Sequence, residues 1–477
     1  MYDMKIKNTL TLQTSFSYYM IGMPLIFLIS LFFYYEFNQS IATLILGFLF
    51  IYFFTVLFVI RYYGLMSLYA IFLYTSTFFL YDCFWFTLFD ESKNFLIQTF
   101  PRRYYIPDEI GIKFIFASEL LTYVMHLTYC LINKKRFIKK QIIIHEIQYE
   151  KVGMAIMLIF LIPSIAKLYI QLRYVMQYGY LVVFTGGLTE IKYPFWTAGA
   201  NLLFITGFSL FVAGNPSKRK FIIFAFLLFV LMALNGAKGQ RGLILGPLVG
   251  LLYWYIKKYN INIKIKTIII LFFFVIAITY FMGNLRNSYG EKSKSSVQTE
   301  KLFDLVSNVL YSQTTSRTVP LKIIQGDLPF HNYPFIISPF FTYLNLIIYP
   351  SNGQDTVSVE KYNDISQIVM YSVSPQSHFD GKGYGGAFLA EAYDCGGYLG
   401  VIFWGIILAV FLVFCDFSNL NIKNKYIPFI FLIILNFAML PRNRLFTVVD
   451  THFPKILLLL LILPIIKSKK IWRLSNV

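Results

Sequence analysis

The sequence predicts an all-α protein that crosses a membrane about twelve times, and three observations lead to this class. Of the 477 residues, 57% are hydrophobic and only 14% are charged, whereas a soluble protein has roughly a quarter of its residues charged. The chain contains twelve apolar runs close to the length that spans a bilayer as a helix. Lysine and arginine lie in short clusters between those runs, which is typical of membrane orientation signals. We therefore expect no nucleic-acid partner.

The apolar runs define the expected spans in order. They are residues 16–35, 41–60, 65–89, 110–132, 152–171, 195–213, 220–235, 242–256, 267–283, 386–414, 426–440 and 445–466. One further apolar stretch, 335–350, would reverse the orientation of all later loops if it crossed the membrane. We interpret it as an interfacial helix within a large outer loop.

Loop charge predicts that both termini are cytoplasmic. With that orientation the cytoplasmic loops hold 22 of the 42 lysines and arginines but only 4 of the 23 acidic residues, as the positive-inside rule requires. The chain then divides into three parts. Residues 1–283 form nine spans with short loops, 284–385 form a large extracytoplasmic loop, and 386–477 form three more spans and a cytoplasmic tail.

Cysteine and histidine usage predicts neither a metal nor a cofactor. The four cysteines lie in predicted spans or, for Cys415, at the end of one, without CxxC spacing, and the five histidines are scattered. The sequence contains no Walker A motif and no dinucleotide fingerprint that follows a predicted strand. ATP-driven transport is therefore disfavoured.

The first candidate site is the turn Asn235-Gly-Ala-Lys-Gly-Gln-Arg-Gly242. Lys238 and Arg241 would lie on the outer side, where loop charge gives no reason for them. The glycines let backbone N–H groups approach a ligand, and Arg241 precedes a helix N-terminus that attracts anions. These groups fit a pyrophosphate clamp. The alternative is a tight turn whose cations lie at lipid head groups.

The second candidate site is Ser377-His-Phe-Asp-Gly-Lys-Gly-Tyr-Gly-Gly386 and the start of the next span. His378, Asp380 and Glu391 are candidates for orienting a nucleophilic hydroxyl or accepting its proton. An ionisable group just inside the membrane edge, such as Glu391, is a functional hypothesis by default. The alternative is a flexible hinge with solvated charges.

The third candidate site is the turn Pro441-Arg-Asn-Arg444, which again has arginines on the outer side. Arg442 and Arg444 could join Lys238 and Arg241 in one cationic cluster, or anchor the chain to lipid head groups. Aromatic side chains in outer segments also stack on sugar rings. The candidates for sugar or acceptor binding are Asn235, Tyr384 and Tyr393.

Together these features resemble the bacterial O-antigen polymerase (Wzy) family. The resemblance lies in the layout of spans, the Gly-Arg-rich turn, the late outer loop and its exit GKGYGGAFLAEAYDCGGYLGVIFWG. Members of that family are similar in fold to membrane glycosyltransferases of the GT-C type and to O-antigen ligases. In motif, the resemblance covers only residues 235–250 and 374–405.

The resemblance implies a metal-independent polymerase of the bacterial inner membrane that joins undecaprenyl-pyrophosphate-linked oligosaccharides on its outer face. It implies that Arg241 matches the arginine after the glycine turn, Glu391 the acid of the AEAYDCGGYLG segment, and His378 a histidine of ligase-like members. In that reaction Lys238, Arg241, Arg442 and Arg444 would hold pyrophosphate. Membrane lipid and a chain-length-regulating co-polymerase are the further expected partners.

Two other functions remain open at this point. One is transfer of a finished glycan by an O-antigen-ligase-like enzyme. The other is a secondary transporter or flippase of lipid-linked oligosaccharide, which would also have about twelve spans. Transporters usually show repeats in their two halves, whereas here the outer polar residues are concentrated after the ninth span.

Overall fold

The chain folds into a set of helices that is dominated by long apolar elements. The computed structural model describes residues 19–38, 40–90, 93–134, 147–239, 242–288, 314–351, 353–416 and 424–474. In chain order the helices are α1 Tyr19–Glu36, α2 Ile41–Tyr63, α3 Leu68–Phe89, α4 Asp108–Lys134, α5 Ile147–Tyr178, α6 Ala200–Ala213, α7 Lys218–Gly236, α8 Gly242–Lys258, α9 Ile265–Ser288, α10 Thr318–Gln325, α11 Ser338–Ile348, α12 Thr356–Lys361, α13 Ile365–Val373, α14 Pro375–Phe379, α15 Phe388–Asp394, α16 Gly397–Cys415, α17 Ile427–Phe437 and α18 Thr447–Leu474.

Within the described ranges, eight helices are long and apolar enough to cross a membrane: α1 to α5, α6 with the turn before it, α7 and α16. They correspond to eight of the twelve predicted spans. The other four predicted spans correspond to α8, α9, α17 and α18, and α17 has only 11 residues. Strand β1 Ile97–Gln98 pairs antiparallel with β2 Tyr104–Tyr105, so sheet is almost absent from the described chain. The predicted all-α polytopic class is confirmed.

The predicted span 386–414 is wrong as a single helix, because the structure breaks it. Helix α15 ends at Asp394 and α16 begins at Gly397. Gly396 and Gly397 have φ values of +137° and +62°, which an L side chain rarely adopts. Gly400 also lies so close to α15 that an added Cβ would be 2.2 Å from the Ala392 carbonyl oxygen. The two glycines let α15 leave the axis of α16 and hold Glu391 outside the span.

Close packing of glycines fixes the helices that lead to the site. On α8, a Cβ added to Gly250 would lie 2.6 Å from the Ile434 carbonyl oxygen, and one added to Gly246 would lie 2.9 Å from Met439 Cγ. Gly242 also faces Met439. Gly242, Gly246 and Gly250, spaced four residues apart, thus form a small-residue stripe on the face of α8 that packs on α17 and the residues after it.

Ion pairs gather several predicted cytoplasmic loops at one end of the helices. Lys220 Nζ lies 2.5 Å from Glu150 Oε1. Asp416 accepts hydrogen bonds from the Leu68 N–H and the Tyr253 hydroxyl, both at 3.1 Å, and lies 3.9 Å from Lys257 Nζ. Two of the few acids on this side therefore neutralise loop cations and join helix ends that are distant in sequence.

Helix α11 lies in the stretch that we expected to be interfacial. Its 11 residues span about 16 Å, roughly half of a hydrocarbon core. Several of its apolar side chains are exposed, including Phe340, Leu344 and Ile347. The helix is therefore too short to cross a bilayer alone and presents apolar surface at the end of the helices where the candidate residues lie.

Candidate functional site

The second and third candidate sites meet directly in the structure. A Cβ added to Gly385 would lie 3.6 Å from Arg442 Nε, and one added to Gly386 would lie 3.3 Å from the Arg444 backbone nitrogen. Gly385 also has φ +86°, so glycine is needed there for conformation. Because the glycines have no side chain, the segment that leads into α15 can lie against the turn Pro441–Arg444, which we call the arginine turn.

Glu391 is the buried acid of this region. It lies on α15, outside the span α16, and its side chain is completely buried. Its Oε2 accepts a hydrogen bond from the Leu445 N–H at 2.9 Å, while Oε1 has no hydrogen-bond partner among the described residues. Burial raises the pKa of the carboxyl to about 8, although the nearby Arg444 favours the charged form. Glu391 therefore exchanges a proton near neutral pH.

Arg444 joins three segments through its guanidinium group. Nη1 donates to Ser338 Oγ at 3.0 Å and lies 3.4 Å from Asp364 Oδ2. Asp364 also caps α13 by accepting from the Gln367 N–H at 3.1 Å. Sequence reasoning missed Asp364 and Ser338. An aspartate before an apolar run is a helix N-cap signal, but that signal does not reveal a partner 80 residues away.

Arg442 lies on the other side of the same turn. Its guanidinium carbon is 5.7 Å from the ring centroid of Phe79, in the range of a cation–π interaction. Phe79 belongs to a π-helical turn, Thr77–Tyr81, that interrupts α3. Such turns occur often at functional sites. The arginine turn thus contacts α3 through Arg442 and the N-terminus of α13 through Arg444.

His378 is fully buried between aromatic rings. Its ring is 5.9 Å from that of Tyr371 and 5.4 Å from that of Phe379, both close to edge-on. Neither ring nitrogen has a hydrogen bond of ordinary geometry among the described residues. Burial lowers the pKa of His378, although the backbone of Asp355 and the carboxylates of Asp364 and Asp355 oppose this. Burial therefore favours the neutral form of the imidazole.

Asp380 and Asp394 have different surroundings from Glu391. Asp380 is partly exposed, accepts from Gln376 Nε2 at 3.0 Å and lies 3.7 Å from Lys382 Nζ. Asp394 accepts from the Phe335 N–H at 2.9 Å and contacts His331 Nε2 at 3.2 Å. Burial raises the pKa of Asp394. Asp380 thus forms a partly solvated ion pair with Lys382 at the rim of the site. Asp394 holds the turn that precedes α11.

The first candidate site reaches the others through an intervening loop. Lys238 is buried, donates to Gln171 Oε1 at 2.7 Å, and has its pKa lowered to about 8 by burial and by Lys167. Gly239 packs on Tyr180, and the loop after Tyr180 packs on Gly381 through Phe184. Lys238 therefore lies at the same end as the other two sites.

Two further residues, Asn235 and Arg241, belong to the turn 235–242. Arg241 lies outside the described residues, but Gly242 beside it contacts Met439, just before the arginine turn. Asn235 is in the last turn of α7, and its carbonyl accepts from the Lys238 N–H at 3.4 Å.

A comparison with protein families decides the identity of this arrangement. The family model for the O-antigen polysaccharide polymerase Wzy matches residues 20–472, nearly the whole chain. The chain belongs to the Wzy family. No curated protein and no solved structure matches it. It is therefore an O-antigen polymerase, a glycosyltransferase, and a multi-pass protein of the inner membrane. The family resemblance expected from its motifs is confirmed.

The tyrosines expected to contact sugar have distinct positions in this Wzy-family protein. Tyr384 is fully buried, and its hydroxyl donates to the Phe100 carbonyl oxygen at 2.5 Å. Its hydroxyl is thus engaged inside the protein. Tyr393 is half-buried and packs edge-on against Tyr398 at 5.5 Å. Of the two rings, that of Tyr393 is the more accessible.

One arginine of the segment 284–385, Arg317, is buried in this Wzy-family protein rather than solvated. A solvated charge is the default in such a loop, but Arg317 is only 3% exposed. It lies near enough to Asp82 of α3 for electrostatic interaction. Arg317 is buried because the short helix Thr314–Arg317 packs on the π-helical turn of α3.

The described part of the Wzy-family protein holds no group of three or more His, Cys, Asp or Glu side chains arranged to bind a metal. The positive group close to Glu391 is Arg444, and Arg442 lies in the same turn. Arg442 and Arg444 present planar, permanently charged groups that bind phosphate oxygens in a bidentate manner. The site therefore combines fixed cations with an acid that titrates near pH 8.

Proposed function

We propose that this polymerase transfers a growing glycan from undecaprenyl pyrophosphate to the non-reducing end of an incoming lipid-linked repeat unit, on the outer face of the membrane. The proposal rests on the contact between Glu391 and the residues at the end of the arginine turn. The Leu445 N–H donates to the Glu391 carboxylate, and Arg444 lies close enough to favour its charged form. The outer position follows from loop charge. A chain-length-regulating co-polymerase remains a prediction from the resemblance.

The cations would act on the leaving group. As the bond between the anomeric carbon and the pyrophosphate oxygen breaks, negative charge builds on the pyrophosphate. Arg442 and Arg444, with Lys238 and Arg241 from the neighbouring turn, would bind that charge more strongly in the transition state than in the ground state. The described geometry supports Arg444 most directly, since it adjoins the buried acid. Arg442 of the same turn lies against Gly385 of the segment before α15.

The acid would act on the acceptor. The acceptor hydroxyl oxygen forms the new bond to the anomeric carbon, and its proton passes to Glu391 Oε1. A base is most effective when its pKa lies near the working pH, and the pKa of Glu391 is about 8. Because Glu391 is fully buried, the acceptor can reach Oε1 only if the segments joined at Arg444 separate. His378 would then hydrogen-bond the acceptor sugar, and Asp380 would lie at the rim.

The direct test uses the purified full-length protein in bilayer nanodiscs with a lipid-linked repeat unit. We expect a ladder of longer glycans that forms equally in EDTA, since fixed cations take the place of a metal. A single transfer without a ladder would favour a ligase-like reaction. Movement of the intact substrate across vesicles without any new bond would favour a flippase and overturn the proposal.

Replacing His378 by phenylalanine separates a chemical role from a packing role. Phenylalanine suits the aromatic surroundings of Tyr371 and Phe379 and removes two ring nitrogens without partners. Because an unsatisfied buried polar group costs about 1–3 kcal/mol, we expect the variant to melt at a higher temperature. We also expect polymerisation to fall about tenfold, because the acceptor sugar loses its hydrogen bond to the imidazole. Unchanged glycan elongation would show that the imidazole only packs.

A further inference from the structure

An apolar cavity lies in the helical region below the arginine turn. It has a volume of about 460 Å³, is partly open, and is lined by α3, α8, α9 and the two residues that follow α17. Its walls are aliphatic and aromatic, with Phe79, Leu248, Leu271 and Met439 among them. That volume lies within the range of small-molecule sites. The proposed transfer reaction assigns no sugar or phosphate to this cavity, because its surface is almost wholly apolar.

The upper end of the cavity adjoins the cations. Phe79 and Met439 belong to a small buried apolar cluster, and both also line the cavity. The guanidinium of Arg442 lies 5.7 Å from the Phe79 ring centroid. Met439 contacts Gly242, the first residue of α8. One end of an apolar cavity therefore meets a positively charged turn, and that charge pattern complements an amphiphile with an anionic head and an apolar chain.

The cavity has the shape of a groove along the helices. On α8 its lining residues run from Leu245 to Leu252, a distance of about 10 Å along the axis. On α3 they run from Ile71 to Phe79, and Met66 lines the groove just before that helix. The groove is thus long enough for the first part of a lipid chain that descends from the arginine turn, and the rest of the chain would continue into the bilayer.

We infer that this groove holds the head-proximal isoprenoid segment of the pyrophosphate-linked carrier, with the pyrophosphate at Arg442. The inference rests on the proposed function, because it takes its substrate class from there. A pyrophosphate carrier has one chain per head group, which matches one groove ending at one cationic turn. Leu271 and Leu248 would contact the chain, and they would select for an isoprenoid segment next to the head group rather than for a sugar.

A pair of neighbouring residues on α9 provides the variant and its control. Leu271 lines the groove, whereas Ile270 is 67% exposed and does not line it. We expect Leu271→Trp to raise the KM for the undecaprenyl-linked repeat unit at least tenfold, with kcat changed less than threefold. Ile270→Trp should stay within twofold of wild type. If Leu271→Trp does not fold, Leu248→Phe fills the groove from α8 and should act in the same direction.

The outcomes separate failure of this inference from failure of the proposed function. If wild type builds a ladder while Leu271→Trp and Ile270→Trp behave alike, the groove assignment is wrong and the polymerase proposal stands. If wild type builds no ladder, the proposed function has failed. The assignment of the groove is then tested only by the binding experiment below.

Binding can be measured without turnover, using a photoreactive isoprenyl pyrophosphate that carries no sugar. We expect labelling of the peptides that contain Leu248 and Leu271, displaced by undecaprenyl pyrophosphate and not by an equal concentration of phosphatidylglycerol. Equal displacement by phosphatidylglycerol would identify an ordinary lipid-filled gap. Labelling confined to other parts of the surface would also overturn the assignment.

Discussion

Replacing Glu391 by glutamine is expected to lower the rate of glycan elongation by about 10²- to 10⁴-fold, the contribution of a general acid–base group. The amide oxygen of glutamine can still accept from the Leu445 N–H, which Glu391 binds at 2.9 Å. The amide cannot take a proton from the acceptor hydroxyl. In wild type the ionised fraction of Glu391 rises as the pH passes through about 8, so kcat should rise between pH 6.5 and 8.5. The variant should lack that rise.

Thermal unfolding of the same variant supplies the control. The folded-state pKa of Glu391, about 8, lies above the unfolded value of about 4.3. The folded state therefore binds the proton more tightly, and the contribution of Glu391 to the free energy of unfolding falls as the pH rises from about 4.3 through about 8. We expect this fall to be absent in Glu391→Gln. A variant that elongates glycans at the wild-type rate would show that the neutral carboxyl only positions Leu445.

Replacing Arg444 by alanine is expected to reduce kcat/KM by about 10²- to 10³-fold, the effect of removing one group that stabilises developing negative charge. Lysine at this position keeps the charge but loses the planar pair of donors, so Arg444→Lys should recover only part of the activity. Kinetics with a lipid-linked repeat unit measure both variants. Arg173→Ala, at an exposed position near the C-terminal end of α5, is the matched control and should remain close to wild type.

The structural role of Arg444 can be separated from its effect on the substrate. Its guanidinium lies 3.4 Å from Asp364 and donates to Ser338. Asp364→Asn weakens the ion pair and can still cap α13, so it tests the joining of segments alone. We expect a smaller loss for Asp364→Asn than for Arg444→Ala. Equal losses would mean that Arg444 holds the segments together and does not bind the leaving group.

Much of the fold could be predicted from local sequence. Apolar runs gave the class and eight long apolar helices within the described chain, because a helix satisfies its backbone hydrogen bonds locally and needs only a run of about 20 apolar residues to cross a bilayer. The stripe Gly242, Gly246 and Gly250 likewise indicated close helix packing before its partner was known. The break at Gly396 was missed, because residues 386–414 were interpreted as one span although the Gly396-Gly397 pair is a local turn signal.

The candidate site was only partly predictable. Outer arginines that loop charge does not explain pointed to the 441–444 turn, and an ionisable residue at the membrane edge pointed to Glu391. Asp364 and Ser338 could not be found in this way. Their relation to Arg444 is a contact between segments 80 and 106 residues apart in sequence, and no local pattern records such a contact.

By itself the sequence determined that this protein is a helical membrane protein and which of its charges needed an explanation other than orientation. Both conclusions depend on the free energy of transferring residues from water to lipid, which composition and local order largely set. Only the tertiary structure decided that the glycine segment before α15 meets the arginine turn, and that Glu391 is buried beside it with a pKa of about 8. Burial and electrostatic coupling depend on distances between segments, and only the packing of the helices fixes those distances.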